Sequence, residues 1–410
     1  MSKDKLKILL MHSSNGREAE DFLQSQLTDF RERENVELVF QFVSWNNSFN
    51  TIIEEFKNGN YPDVIQLGSS WIGPLVHLKY IQPIEEDVNV REALPGWLNE
   101  ACIYNGKRIA VPWTVDTMIM AIAKDVMKEL NIEPENIRSW EGFYQEIKRL
   151  AELKEKDKTS LKPLIFAIRP EMETIHRLSA FLFAAGYNYP ELDKSLDNFL
   201  ANEEFFSVVK YLADLLKAAE LSSYDVDTHP YKINENFYIY GTYVFYMGNW
   251  MGAVSHLLSH GYESKYKILP LPSREGSFGT FSGSSVLAVT SRTNYPGKSA
   301  RLLEELISRH FLEKWQGYTS AIPAFESNFW QQRHSNDEVK TLYKMIVNST
   351  SYPVHPVWRN IEKILFNNLS HCFWQLYIES ELPLEERIYS ILEESDQHIK
   401  TLLNMAWELE

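Results

Sequence analysis

The chain has 410 residues, of which 44% are hydrophobic and 24% are charged. This balance is typical of a globular protein long enough for two or three domains. Its 41 basic and 56 acidic residues give a formal net charge of −15. Nucleic acid and anionic membrane surfaces are therefore disfavoured as general partners, because their phosphates would be repelled.

Two cysteines, Cys102 and Cys372, are too few for a disulfide framework or a zinc site. We expect two buried free thiols, although one disulfide between them stays open. No apolar run approaches the ~20 residues that span a bilayer, and the apolar stretch at 8–11 is shorter than the core of a secretory leader. A chain whose leader has been removed would act outside the cytoplasm, in the periplasm or anchored to the membrane. One that starts naturally at Met1 would act inside the cytoplasm.

The first part of the chain alternates short apolar segments with helical patterns. The apolar segments begin at residues 7, 36 and 64, and this rhythm predicts a parallel sheet with crossover helices. The later chain is less regular. We predict helices at 140–153 and 205–221, strands at 238–247 and 285–290, and a mostly helical part after residue 299.

Small polar residues and tryptophans follow each of the three early strands. The segments are SSNG at 13–16, SWNN at 44–47 and GSSW at 68–71. Ligands of open α/β sheets bind at the carboxyl ends of the strands. Serine, asparagine and glycine are also preferred in ordinary turns and helix caps. One such loop is open to both interpretations, but three at the same edge favour a binding site.

No sequence motif for nucleophilic, metal-dependent or nucleotide-dependent catalysis is present, and the eleven histidines are scattered. We therefore predict no catalytic residues, no cofactor and no metal. The aromatic content is high, at 13%, and several tryptophans fall at predicted loop positions beside small polar residues. This combination suits a carbohydrate, because indole faces cover its C–H surfaces while polar side chains bond its hydroxyls. Each tryptophan taken singly is also compatible with a core position.

Six segments resemble motifs of bacterial extracellular solute-binding proteins of ABC sugar importers, the maltose-binding-protein-like family. They follow the order of that family's motifs: 61–84 (beginning YPDVIQLGSSW), 104–113 (YNGKRIAVPW), 139–143 (SWEGF), 241–250 (GTYVFYMGNW), 269–289 (beginning LPLP and ending SGSSVLAV) and 321–324 (AIPA). Ser284 departs from the family pattern, since it stands where a second glycine is usual.

The resemblance implies an α/β chain with the type II periplasmic-binding-protein fold, in which two α/β lobes are joined by a hinge with several crossings. Lobe one would comprise residues 1–115 and 281–322, and lobe two residues 117–278 and 324–410. The crossings would lie near Val115, near residues 276–282 and near Pro323. The hinge would close on a ligand held in the cleft between the lobes.

The resemblance also implies a set of ligand-facing residues, carried over motif by motif. Asp116 is expected to accept hydrogen bonds from sugar hydroxyls, and Trp358 and Arg359 follow only from the family's late aromatic. The full set is Asn15, Gly16, Trp45, Asn46, Ser69, Ser70, Trp71, Trp113, Asp116, Trp250, Gly283, Ser284, Trp358 and Arg359.

We therefore expect a protein that captures a mono- or oligosaccharide, performs no chemistry and delivers its cargo to the membrane permease of an ABC transporter. It would act as a monomer. Two alternatives stay open: a cytoplasmic or sensor-linked sugar-binding module without a transport role, and a carbohydrate hydrolase that uses a pair of carboxylates. The sequence does not identify the sugar.

Overall fold

The computed structural model describes residues 3–11, 16–84, 88–166, 172–190, 192, 198–221, 230–251, 265–375 and 383–408. Its strands, in chain order, are β1 (Asp4–Met11), β2 (Val36–Val43), β3 (Val64–Gly68), β4 (Ile103–Tyr104), β5 (Lys107–Arg108), β6 (Ala110–Ala123), β7 (Lys162–Ile165), β8 (Tyr243–Asn249), β9 (Tyr266–Leu269), β10 (Ser282–Val289) and β11 (Ile322–Pro323).

Helices cover most of the remaining described residues. They are α1 (Gly16–Gln26), α2 (Thr28–Arg33), α3 (Trp45–Lys57), α4 (Ile72–His77), α5 (Trp97–Ala101), α6 (Lys124–Glu129), α7 (Trp140–Glu155), α8 (Met172–Ala184), α9 (Glu203–Ala218), α10 (Pro230–Asn234), α11 (Pro296–Leu306), α12 (Arg309–Thr319), α13 (Asn328–Gln331), α14 (Asp337–Val347), α15 (Trp358–Gln375) and α16 (Leu384–Glu408). Within the described ranges, no helix has the length and apolar character needed to cross a bilayer.

The chain divides into two compact units. Unit 1 comprises residues 1–115, 283–331 and 352–359, and unit 2 comprises residues 116–282, 332–351 and 360–410. The long strand β6 passes from one unit to the other between Val115 and Asp116. Segments 324–331 and 352–359 are grouped with unit 1, whereas the predicted lobes placed both in the second lobe. The lobe boundaries and the hinge stay predictions.

Unit 1 is built on a sheet in the order β2-β1-β3-β10. Strand β1 runs parallel to both β2 and β3, and β10 runs antiparallel to β3. The predicted parallel arrangement of the first three strands is confirmed. Parallel strands end at the same edge of a sheet, so the segments that follow β2 and β3 emerge together.

Unit 2 is built on a second sheet. The part of β6 beyond Asp116 pairs antiparallel with both β8 and β9, and β7 runs parallel to β8. Helix α7 begins at the cap residue Ser139, whose hydroxyl accepts a hydrogen bond from the Gly142 amide at 3.1 Å. Its buried face matches the helical spacing of the sequence.

Two predicted elements have different bounds in the structure. The aromatic run at 238–247 is not one strand, because Glu235–Ile239 forms a π-helical turn and β8 begins only at Tyr243. Burial there does not alternate from one residue to the next, because Phe237 and Tyr238 are both buried while Ile239 and Tyr240 are both exposed. In a strand, successive side chains point to opposite faces, so buried and exposed residues would alternate. Helix α3 begins at Trp45, so Trp45 and Asn46 form its first turn instead of a loop.

A close backbone contact holds residues 352–359 within unit 1. A Cβ atom on Gly73 would lie 2.6 Å from the backbone carbon of His355. The first turn of α4 can therefore meet this segment only where a side chain is absent.

Replacement of this glycine should be costly. We expect Gly73→Ala to lower the free energy of unfolding by about 1–3 kcal/mol, because the backbone of His355 must move. Gly96→Ala is the matched control, since no atom lies within 4 Å of the position its Cβ would take. Chemical denaturation of both variants tests this contact, and equal stabilities would contradict it.

Candidate functional site

An aromatic cluster lies at the carboxyl edge of the sheet in unit 1. The rings of Trp45 and Trp71 meet edge to face, with centroids 5.8 Å apart, and Phe49 packs on Trp71 at 5.4 Å. The guanidinium of Arg359 lies 5.5 Å from the centre of the Phe49 ring. Trp45 is 43% exposed, which is unusual for so large an apolar side chain. This cluster brings together Trp45, Trp71 and Arg359, three residues of the predicted ligand-facing set.

Other small residues of the predicted set lie at the same edge of the sheet. Ser69 and Ser70 are buried in the short 3₁₀ turn that precedes α4, and Asn46 is exposed in the first turn of α3. Gly16 has a packing role, because a Cβ at this position would lie 2.9 Å from the ring of Phe42. Asn15 lies outside the described residues.

Two adjacent serines on β10 differ in their hydrogen bonding. The Ser285 hydroxyl accepts a hydrogen bond from the Gln66 side-chain amide at 2.8 Å, and the Gln66 carbonyl oxygen accepts one from the Met11 amide. The Ser284 hydroxyl is buried and has no hydrogen-bond partner in the part of the chain that the structure describes. Ser285 is opposite Gly68, so Ser284 lies next to the turn at 69–71, and Gly283 precedes it.

In unit 2, the Asp116 carboxylate accepts three hydrogen bonds. One oxygen accepts from the Asn249 side-chain amide at 2.9 Å. The other accepts from the backbone amides of Met251 and Thr117, at 3.0 and 2.9 Å. Asn249 ends β8, so these contacts fix the turn that carries Trp250.

Trp250 is half-buried in this turn. Its indole N–H is buried and donates to no acceptor within the described residues. A buried donor without an acceptor loses its hydration and gains nothing in return, which costs about 1–3 kcal/mol. Gly248 precedes the turn and has a packing role, because the Tyr246 ring occupies the space that a side chain would need.

Charged groups of α8 face Asp116. Glu173 and Arg177 form an ion pair at 3.3 Å, and the Arg177 Nε donates to the Met247 carbonyl oxygen. Burial raises the pKa of Asp116 to about 6, the three hydrogen bonds oppose this shift, and the negative charge of Glu173 adds to it. The carboxyl group therefore titrates close to neutrality.

Two predicted ligand contacts are core residues instead. Trp113 is 1% exposed, stacks on Trp315 with centroids 5.0 Å apart, and donates its indole N–H to the Leu306 carbonyl oxygen. Trp358 is fully buried and packs on Tyr352. An indole enclosed in its own unit has no face to offer a ligand, so both residues leave the candidate set.

Several neighbours of the site were missed by sequence reasoning. Phe49 follows Trp45 by four positions, which a helix beginning at residue 45 would have revealed. Glu173 and Arg177 have the same spacing on α8. Asn249 carries no comparable local signal, because its partner Asp116 is 133 positions away.

The other groups considered are the cysteines and possible metal ligands. Cys102 is a buried free thiol, as predicted, and burial raises its pKa to about 12. The Cys372 side chain lies outside the described part. Among the side chains that the structure describes, no cluster of histidine, cysteine and acidic residues could hold a metal ion.

Comparisons with known proteins agree with one another. The sequence model of a family described as "Bacterial extracellular solute-binding protein" matches residues 25–334. The diacetylchitobiose binding protein DasA of Streptomyces coelicolor is 22% identical over 322 residues, which are 74% of this chain and 69% of that protein.

Solved structures give the fold. A solute-binding protein of an ABC transporter from Thermotoga lettingae, bound with α-D-tagatose, superposes with a TM-score of 0.79 at 15% identity, covering 97% of this chain and all of the other. The sugar-binding protein MalE of Xanthomonas citri gives 0.77 at 17% identity, over 99% and 100% of the two chains. The chain therefore has the type II periplasmic-binding-protein fold, as the sequence predicted.

The two adjacent serines offer a matched pair of variants. Ser285→Ala should lower the free energy of unfolding by about 1–3 kcal/mol, because the Gln66 amide is left buried without its acceptor. Ser284→Ala should change it by less than about 0.5 kcal/mol or raise it, because the lost hydroxyl had no partner. Chemical denaturation measures both, and an equal loss in the two variants would contradict this difference.

Proposed function

Because the chain belongs to the bacterial extracellular solute-binding protein family, we propose that it captures a mono- or oligosaccharide and delivers it to the membrane permease of an ABC transporter. The protein performs no chemistry on this ligand. It acts outside the cytoplasm as a monomer, with no nucleic-acid partner.

One observation carries the choice of a carbohydrate. At positions that the family motifs mark as ligand-facing, exposed indole surface occurs together with buried polar atoms that have no partner among the described residues. In unit 1, Trp45 supplies an exposed indole and Ser284 a buried hydroxyl, and in unit 2, Trp250 supplies a buried N–H. Sugars carry apolar C–H faces and a rim of hydroxyls, and these suit an exposed indole face and polar atoms without a partner. The names of DasA and MalE support this class of ligand.

The arrangement of carboxylates argues against a hydrolase. Glycoside hydrolysis needs one carboxyl group as an acid and a second as a nucleophile or base, both facing the substrate. Asp116 is bonded to three protein donors and Glu173 is paired with Arg177. We propose that these groups shape the site and do not react. Absence of product from a panel of chromogenic glycosides tests this.

A ligand screen tests the main proposal. Sugars that bind only the folded state raise its melting temperature, so a thermal-shift library that includes diacetylchitobiose, maltose, maltotetraose and tagatose should contain at least one hit. Calorimetry then gives its affinity. The absence of any stabilising carbohydrate, across mono- and oligosaccharides, would contradict the proposal.

The carbohydrate found by this screen allows the role of Trp250 in binding to be tested. We expect Trp250→Ala to lower the affinity by about 2 kcal/mol or more, which is ~30-fold, because a central aromatic contact is lost. Trp140→Phe is the control in the same unit, since Trp140 stacks on Tyr211 and bonds the Pro272 carbonyl oxygen. It should bind as the unmodified protein does. Equal affinities of Trp250→Ala and the unmodified protein would remove Trp250 from the site.

A further inference from the structure

Asp116 was expected to bond the ligand directly, but its described contacts are with its own chain. Strand β8 pairs with β6 as far as Asn249, which lies opposite Met118. Beyond this point the backbone ladder stops, and the Asp116 side chain takes up the Met251 amide that follows. A carboxylate thus replaces a missing backbone acceptor.

The contacts bracket one residue. Asp116 accepts from Asn249 on one side of Trp250 and from Met251 on the other, at 2.9 and 3.0 Å. The Thr117 amide completes the set and fixes the carboxylate against its own strand. Hydrogen bonds to an ionised acceptor are roughly twice as strong as neutral ones. The position of the Trp250 indole therefore depends on a charge that lies on a different strand.

We propose that Asp116 is a positioning residue, whose carboxylate fixes the Asn249–Met251 turn and thereby holds Trp250 in the orientation that binds the ligand. This rests on the proposed function. Asp116 acts through Trp250. Its effect on the affinity for the ligand is therefore lost when Asn249 or Met251 no longer donates a hydrogen bond to it.

The surroundings of Asp116 give this role a dependence on pH. Glu173 of α8 acts on it and is paired with Arg177, and Tyr246 of β8 is a further titratable group nearby among the described residues. Burial raises the pKa of Asp116 to about 6. Above that pH the carboxylate accepts all three bonds. Below it one oxygen carries a proton, and the hydrogen bonds that the carboxyl group accepts lose the negative charge that strengthens them.

As the pH falls from 7 to 5, the affinity for the ligand should fall while the contribution of Asp116 to folding stability should rise. Ligand affinity should be constant above pH 7 and fall about tenfold between pH 7 and pH 5, as one carboxylate is protonated. The effect of Asp116 on folding has the reverse sign. Its folded pKa lies above the ordinary value, so the folded state binds the proton more tightly than the unfolded chain, and this contribution to stability is lost as the pH rises towards 6.

The experiment uses the full chain and a carbohydrate found by the thermal-shift screen, with calorimetry at half-unit steps from pH 5 to pH 8. If the unmodified protein binds no carbohydrate, the proposed function has failed, and this proposal fails with it. If it binds, Asp116→Asn should have about tenfold lower affinity at pH 7 and no fall towards pH 5. An unchanged affinity with an unchanged pH profile would overturn the positioning role alone.

A second variant separates positioning from a direct contact and covers a failure of Asp116→Asn to fold. Asn249→Ala removes one donor that lowers the pKa of Asp116. It should therefore weaken binding and move the midpoint of the affinity profile to higher pH. If Asn249→Ala leaves the affinity above pH 7 unchanged, where Asp116 is ionised, the turn does not transmit the effect of Asp116 and the proposal is wrong.

Asp396→Asn is the matched control. Asp396 is also a carboxylate in unit 2, accepts hydrogen bonds from the Leu200 and Ala201 amides, and has a pKa raised by burial. It belongs to a different part of the unit, since it lies on α16 and its donors directly precede α9. This variant should lose stability yet keep the pH profile of binding, and a flattened profile would overturn the assignment of that profile to Asp116.

Discussion

A buried polar atom without a hydrogen-bond partner costs free energy, and this cost distinguishes two candidate ligand-facing residues from residues of the same types that are bonded within the fold. The indoles of Trp113 and Trp330 each donate to a backbone carbonyl within unit 1. Ser285 accepts from Gln66. The Trp250 indole and the Ser284 hydroxyl have no such partner in the described part. Among these four residues, Trp250 and Ser284 carry a buried N–H and a buried hydroxyl without any partner in the described part, and we propose that a ligand supplies one.

We propose that the position of the Trp250 N–H depends on Asp116. An ionised carboxylate is disfavoured where burial raises its pKa to about 6, yet three donors of the protein are arranged around it. Such a group lowers the stability of the unliganded fold at neutral pH. Binding sites commonly accept this cost, because the strained or charged arrangement serves the ligand. The neighbouring Glu173 adds to this cost, because its negative charge also raises the pKa of Asp116.

Much of the fold could be predicted from the sequence, and the reasons for the exceptions are local. Strands β1 to β3 followed from apolar segments at regular intervals, and six ordered motifs gave the family. The prediction that Trp113 contacts the ligand was wrong because all four residues at 110–113 are buried. A strand covered on both faces shows no alternation, so nothing marks Trp113 as core. The aromatic run before β8 had strand composition, but its burial follows a helical turn. The Asp116 contacts join residues more than 130 positions apart, and no local pattern reports such a pairing.

The most direct test of the account follows the indole N–H groups themselves. The chain has eleven tryptophans, and ¹⁵N-labelled protein gives one indole signal for each. The Trp250 signal is assigned by its absence in Trp250→Phe. Saturation with the carbohydrate found by screening should shift this signal strongly, because its N–H gains an acceptor, while the Trp113 and Trp330 signals stay in place. A Trp250 signal that does not move while the ligand saturates the protein would contradict the account.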